Sequence, residues 1–286
     1  MNDPNFILNI YKTSLSDSEF TKLSKFIYDN YGIKLPLAKK TMLQSRLLKR
    51  LRTLKMSSFG EYINYLFSSE GLQNEVLYMI DEVSTNKTDF FRENAHFEFM
   101  SNELLPLFMK SNINNLNVWS SAASSGEEVY TLAMVLSEFK DRNPLLNFNI
   151  LGTDISKTML SKAITAIYSE NAIVPIPMHL KKKYFLRSKD RDAKTVRVVQ
   201  SLRDKTSFQL LNLMNKNYET KIPSFDIIFC RNVLIYFDRE TQEKVLNRLI
   251  DKLKPNGFLF LGHSESVTNM KLNVKQVKPT IFMKAH

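Results

Sequence analysis

From residue 117 onward, short apolar runs that suit strands alternate with longer amphipathic runs that suit helices. The strand-like runs are NVW (117–119), NFNILGTD (147–154), FDIIFC (225–230) and GFLFLG (257–262). Helical patterns cover 127–138, 156–166 and 239–253. Strands separated by helices make βαβ units, because parallel neighbours need a long crossover. Right-handed crossovers then give a doubly wound α/β sheet. Such a sheet binds ligands at the carboxyl ends of its strands, near the switch in strand order. Residues just after the four runs are therefore the place to look for chemistry.

Composition narrows the options. The chain has 286 residues, 43% of them apolar and 24% charged, which is ordinary for a globular protein with a real core. No run of 18 apolar residues is present, so membrane insertion is not expected. MNDPNFILNIYK has no basic segment followed by a long apolar one, so a cytoplasmic protein without a signal peptide is expected. A single cysteine, Cys230, excludes an intramolecular disulfide, and its setting in FDIIFC suits a small buried hydrophobe. His96, His179, His263 and His286 show no metal-ligand spacing, so no metal is expected. The net charge of +11 suits an acidic partner, whether nucleic acid, membrane or protein.

Before residue 85 the pattern is helical throughout. SDSEF offers an N-cap, followed by Phe20, Leu23, Phe26 and Ile27 at helical spacing. Gly32 and Pro36 break that helix. A second helix over 37–54 puts Leu43, Leu47, Leu51 and Leu54 on one face, with Lys39, Arg46, Lys49 and Arg50 beside it. Helices over 58–67 and 71–83 follow. The expected domains are 1–84, helical with a basic docking helix, and 85–286. Within the latter, 180–206 reads as a small antiparallel β insertion: residues 181–205 hold ten basic and three acidic side chains around the short strand VRVV.

The turn after NVW, SSAASSGEE, has a single glycine and then Glu127 and Glu128. Its small residues let a ligand approach the backbone, and a helix N-terminus offers free amides. Two carboxylates would repel a pyrophosphate and suit a cationic or hydroxyl-bearing ligand, although acids in a first helical turn also favour the dipole. Asp154 closes the second strand, where an acid is placed to bind ribose hydroxyls. Hydroxyls without phosphate, plus tolerance for positive charge, point to S-adenosylmethionine. Arg231 and Asn232 follow FDIIFC, and a helical turn would return Tyr236 to the same end. STNKTDFFRENAHF reads locally as a capped join between linker and helix.

STNKTDFFRE, WSSAASSGEEVYTLAM, LGTDIS, FCRNVLIYFD and LGHSES, together with YGIKL and RLLKRLR near the start, resemble the CheR family of chemotaxis receptor methyltransferases. The resemblance runs in order over nearly the whole chain. It implies a Rossmann-like S-adenosylmethionine-dependent methyltransferase domain behind an all-helical N-terminal domain, with the β insertion a family feature. It implies methyl transfer to glutamate side chains on chemoreceptor cytoplasmic helices, with no nucleic acid as substrate. By the same resemblance Asn86, Thr88, Arg92, Glu128, Asp154, Asn212, Leu213, Arg231 and Asn232 bind the cofactor. Arg92 and Tyr236 act at the acceptor carboxylate. Of the family's variants, some capture a receptor C-terminal peptide on the insertion, and this chain lacks the glycines associated with them. The competing readings are an RNA methyltransferase, for which the basic helix offers leucines rather than stacking aromatics, and a non-catalytic adaptor. A dinucleotide-dependent dehydrogenase lacks its glycine fingerprint here.

Overall fold

The computed structural model describes residues 13–190 and 192–285. The expectations about the leader region, Arg191 and His286 lie outside these residues. The chain forms two compact units. One comprises the described residues through Thr85 together with Tyr236–Asp238; the other comprises Asn86–Ile235 and the chain from Arg239 onward.

In the helical unit, α1 (Asp17–Tyr31) starts with a capping box between Ser16 and Glu19 and stops at Gly32, whose φ of 70° closes the left-handed cap. It buries Phe20, Leu23 and Ile27. A 3-10 turn at Leu37–Lys39 leads into α2 (Lys40–Leu54), which buries Leu43, Leu47 and Leu51. Then come α3 (Phe59–Leu66), α4 (Ser69–Asn74) and α5 (Val76–Val83). The helix expected over 71–83 is thus broken at Glu75. This residue is only 2% exposed, and its carboxylate accepts both arms of the Arg50 guanidinium (2.8 and 2.7 Å) and the Tyr62 hydroxyl (3.1 Å). Drawing that carboxylate inward fixes the break, since a buried charge is tolerated only when paired.

Several cations of α2 have partners within this unit. Arg50 is engaged by Glu75, Lys49 pairs with Glu82 (2.7 Å) and Lys40 with Asp17 (2.5 Å). Arg46 donates to the Val83 carbonyl, to the Ser84 carbonyl (3.1 Å) and to Thr85 Oγ1 (3.2 Å), closing the end of α5. Arg46 and Arg50 are therefore structural cations.

In the second unit, α6 (Ala95–Phe99) runs through a π turn at Met100–Leu104 into α7 (Leu105–Lys110). Then β1 (Asn115–Ser120), α8 (Glu127–Arg142), β2 (Asn147–Asp154) and α9 (Lys157–Thr165) alternate as expected. β3 (Ile167–Ser169), α10 (Met178–Tyr184), β4 (Phe185–Arg187) and β5 (Thr195–Val198) follow. Next are α11 (Gln200–Arg203), β6 (Thr206–Leu210), β7 (Phe225–Cys230), α12 (Arg239–Lys252), β8 (Leu253–Leu261), β9 (Val274–Lys278) and β10 (Ile281–Lys284). The main sheet has the order β6-β2-β1-β7-β8-β10-β9. Its first five strands are parallel, and β10 and β9 add an antiparallel edge. β7 is buried along its whole length, as a central parallel strand should be. The strand order reverses between β1 and β7, so the crevice lies over their carboxyl ends. A small antiparallel sheet, β3-β5-β4, draws its edge strand from Ile167–Ser169, ahead of the 180–206 segment. Among the described residues, no helix is long and apolar enough to cross a membrane.

Replacing Arg50 by Ala would leave the Glu75 carboxylate buried without its partner. Equilibrium denaturation should show a loss of about 3 kcal/mol or more, whereas Lys49→Ala, which breaks an exposed pair, should cost less than about 1 kcal/mol.

Candidate active site

The turn between β1 and α8 is held by its own amides. Ser121 N donates to the Phe229 carbonyl (2.8 Å), Ala123 N to the Thr153 carbonyl (2.8 Å), and Gly126 N to the Ala123 carbonyl (2.9 Å). Ser124 N donates to Asp154 Oδ2 (2.8 Å). Sheet, turn and Asp154 have thus taken these four turn amides, while the amides expected to be free belong to the start of α8 that follows. Gly126 sits at φ 97°, and a Cβ there would come within 2.9 Å of Ala163 Cβ, so both conformation and space demand glycine.

Asp154 is buried, and its other oxygen accepts Ser156 N (2.9 Å) at the start of α9. Its backbone carbonyl accepts Leu211 N (3.0 Å), which sets Asn212 and Leu213 beside the end of β2. Asn212 Oδ1 accepts Met214 N (2.9 Å).

At the end of β7, Arg231 is 6% exposed and lies against the stacked rings of Phe97 and Phe229, 5.2 and 5.6 Å from their centroids. Its Nε donates to Glu128 Oε2 (2.7 Å), while Glu128 Oε1 accepts Ser120 Oγ (2.7 Å). Both Glu128 oxygens thus have protein partners. Arg231 Nη1 donates to His96 Nδ1 (3.0 Å) and reaches Glu93 Oε2 at 3.4 Å. Glu93 also accepts from Asn232 Nδ2 (3.1 Å) and His263 N (3.3 Å). Burial alone would raise the Glu93 carboxyl; the Asn232 hydrogen bond and the Arg231 charge overcome it and hold the group below its ordinary range. Glu265 Oε1 accepts Val233 N (2.9 Å) and Leu234 N (2.8 Å), and its Oε2 accepts Gly262 N (2.6 Å), pinning the loops after β7 and β8 together.

The segment from Asn86 to His96 runs across these strand ends. The Asn86 carbonyl accepts Ser124 Oγ (2.9 Å), Phe90 packs edge-on to Tyr168 and Phe185, and Phe91 N donates to Thr131 Oγ1 (3.2 Å). Phe91 and Glu93 both take left-handed backbone angles, φ 55° and 56°. Each costs about 1–2 kcal/mol in a residue other than glycine. Arg92 lies between them, half-buried, with Nη1 donating to the Lys87 carbonyl (2.9 Å). Thr88 is half-buried in the same segment. Of the residues expected at the site, Asn86, Glu128, Asp154, Arg231 and Asn232 thus gather at the ends of β1, β2 and β7. Tyr236 belongs with the helical unit, where its carbonyl accepts Lys34 N (3.1 Å). Glu93, His96 and Glu265 were not singled out from the sequence. Glu93 stands next to Arg92 in STNKTDFFRE, but nothing local marks its partners.

His96, His263 and Glu93 offer ligand atoms within 4.8 Å of one another, a grouping that sequence spacing did not reveal. The Arg231 guanidinium already holds the His96 nitrogen in that group, so a metal ion there would face a fixed positive charge. The donor set instead suits a nucleoside ligand without phosphate: buried carboxylates after β1 and at the end of β2, and four turn amides that are already bonded. S-adenosylmethionine has hydroxyls for Asp154 and positive charge compatible with the carboxylates.

Because arginine can only donate, His96 Nδ1 accepts, and Nε2 carries the proton donated to Thr280 Oγ1 (2.8 Å). Burial and the Arg231 charge push His96 down to about 4. The unfolded chain therefore takes up this proton first. The stabilisation is complete above the ordinary histidine range and is lost as pH falls from about 6.5 towards about 4. Urea denaturation across that window should show wild type losing about 3 kcal/mol more than His96→Gln does.

Known proteins resemble this chain along nearly its whole length. A family model described as CheR methyltransferase, SAM binding domain, matches residues 86–283, and one described as CheR methyltransferase, all-alpha domain, matches residues 18–84. The chemotaxis protein methyltransferase of Borreliella burgdorferi is 38% identical, covering 99% of this chain and 99% of that protein. The protein of the same name from Escherichia coli is 37% identical, covering 91% and 88%. Magnesium protoporphyrin IX methyltransferase from Synechocystis, a solved structure, is 12% identical with a TM-score of 0.37 over 78% of this chain and 94% of that one, too weak to add to the assignment. The chain belongs to the CheR methyltransferase family, and its cofactor is S-adenosylmethionine.

Proposed function

We propose that this protein is a cytoplasmic protein-glutamate O-methyltransferase acting on chemoreceptor cytoplasmic helices in chemotaxis adaptation. The observation that carries the reading is the pair of buried carboxylates after β1 and β2, Glu128 and Asp154, beside a turn with four amides already bonded. It is supported by relatives named chemotaxis protein methyltransferase. Residues 85–286 serve as the methyltransferase domain, with 180–206 as its insertion, and residues 1–84 as the domain that meets the receptor. With Arg46 and Arg50 engaged internally, the exposed Lys39 and Lys55 at the two ends of α2 are the cations left for acidic receptor helices.

When bound, S-adenosylmethionine would supply an electrophilic methyl on a positively charged sulfur, the new C–O bond forming as the C–S bond breaks and the neutral thioether of S-adenosylhomocysteine leaves. A glutamate is already ionised near neutral pH, so the protein needs no strong base. Its residues orient and partly desolvate the acceptor. Arg92 holds an acceptor oxygen by a charge-assisted hydrogen bond, short of quenching the nucleophile, and the family resemblance gives Tyr236 the role of a phenolic donor to the acceptor. Asp154 takes the ribose hydroxyls, with Asn212 and Leu213 at the adenine. Asn86, Thr88, Glu128, Arg231 and Asn232 complete the cofactor side, Glu128 indirectly, through the guanidinium it fixes.

Tritiated methyl transfer to receptor membranes should occur and be alkali-labile, as an ester requires; incorporation into RNA instead would sink the reading. Arg92→Ala should lower turnover roughly a hundredfold with cofactor affinity little changed. Asp154→Ala should weaken cofactor binding roughly tenfold in titration calorimetry and lower the melting temperature, because Ser124 N and Ser156 N lose their acceptor. Wild-type affinity in Asp154→Ala would overturn the cofactor assignment.

A further inference from the structure

Glu93 reaches three groups from two neighbouring strand ends: Asn232 Nδ2 and Arg231 Nη1 after β7, and His263 N after β8. Each of these partners is a donor, and an ionised carboxylate is acceptor-only. That fixes something a carboxamide cannot fix for itself. Asn232 could present either end of its side chain to a neighbour, but against Glu93 it must present Nδ2. Its Oδ1 is left facing elsewhere, with no hydrogen-bond partner among the described residues. Asn232 is itself held at φ 58°, and a Cβ on Gly262 would meet its Nδ2 at 2.8 Å, so backbone and packing leave the side chain little room to swing away.

We propose that Glu93 is a positioning residue for cofactor binding: by accepting from Asn232, it turns that carboxamide so that an oxygen acceptor, rather than an amide donor, faces the ligand. The inference rests on the placement of Asn232 beside the cofactor. The ligand suits an acceptor there, since it brings ammonium, hydroxyl and amino donors and a positively charged sulfur. A donor at that point would add to the charge of the buried Arg231. The same carboxylate balances charge: Arg231 faces Glu128 and Glu93, and His96 beside it is neutral at physiological pH.

The isosteric variant Glu93→Gln separates direction from bulk. Two amides can pair either way round, so a hydrogen bond to residue 232 survives while its direction is no longer enforced. Titration calorimetry with S-adenosylhomocysteine should show roughly tenfold weaker binding for Glu93→Gln. Glu93→Asp, still acceptor-only, should recover part of the loss. In a double-mutant cycle, Glu93→Gln should add almost nothing once Asn232→Ala is present. Thermal unfolding accompanies each variant, and a purely structural role would give additive losses in affinity that track the melting temperature. Wild-type affinity in Glu93→Gln, additive losses in the double variant, or Glu93→Asp binding more weakly than Glu93→Gln would overturn the proposal. Wild-type affinity in Asn232→Ala alone would instead remove Asn232 from the cofactor site, and this inference with it.

Discussion

A guanidinium cannot shed its proton, so a buried arginine compels its surroundings. Arg231 is such a residue. Placed after the fully buried strand β7, it needs carboxylates, and the chain supplies Glu128 from the first turn of α8 and Glu93 from the segment crossing the strand ends. The first turn of a helix already favours an acid, so Glu128 satisfies helix and arginine together. The stacked rings of Phe97 and Phe229 lie against it. One cation thereby ties a strand, a helix and a crossing segment into a single arrangement at the point where the sheet changes direction.

The helical unit uses the same chemistry away from any ligand. Arg50, Glu75 and Tyr62 form a buried polar group, and here a helix gives way where a carboxylate reaches its partner. Burial pushes the Tyr62 hydroxyl up, and the neighbouring Glu75 charge adds to it, so the phenol stays a donor. Such groups add little net stability compared with apolar packing, but they penalise every alternative in which one partner is lost. Both units therefore rely on buried charge to select one geometry.

The central strands were legible because buried parallel strands are continuous apolar runs: FDIIFC and NFNILGTD coincide with β7 and β2. The edges were harder. β6 is half-exposed, and β9, VKQVK, is polar, carries two lysines and is mostly exposed as open edges are, so neither shows a clean apolar run. The acids Glu128 and Asp154 stood out by position, but what they bind did not. Glu128 meets Arg231 across 103 residues, and Glu93 meets Asn232 across 139. Periodicity reports a residue's own face, and nothing in it ranks partners so far apart. For the same reason Arg46 and Arg50 looked like surface charge until α5 was in place. The break at Glu75 was hidden too, because its cause lies on α2 and α3.

The turn after β1 has a wider meaning. In related sheets, a loop in this position draws affinity from backbone amides aimed at phosphate oxygens. Here the neighbouring strands and Asp154 have taken those amides. A phosphate at this turn would find four amides already bonded and the Asp154 carboxylate beside them. The hydrogen bonds that close the turn thus work against phosphate from behind the surface a ligand would meet.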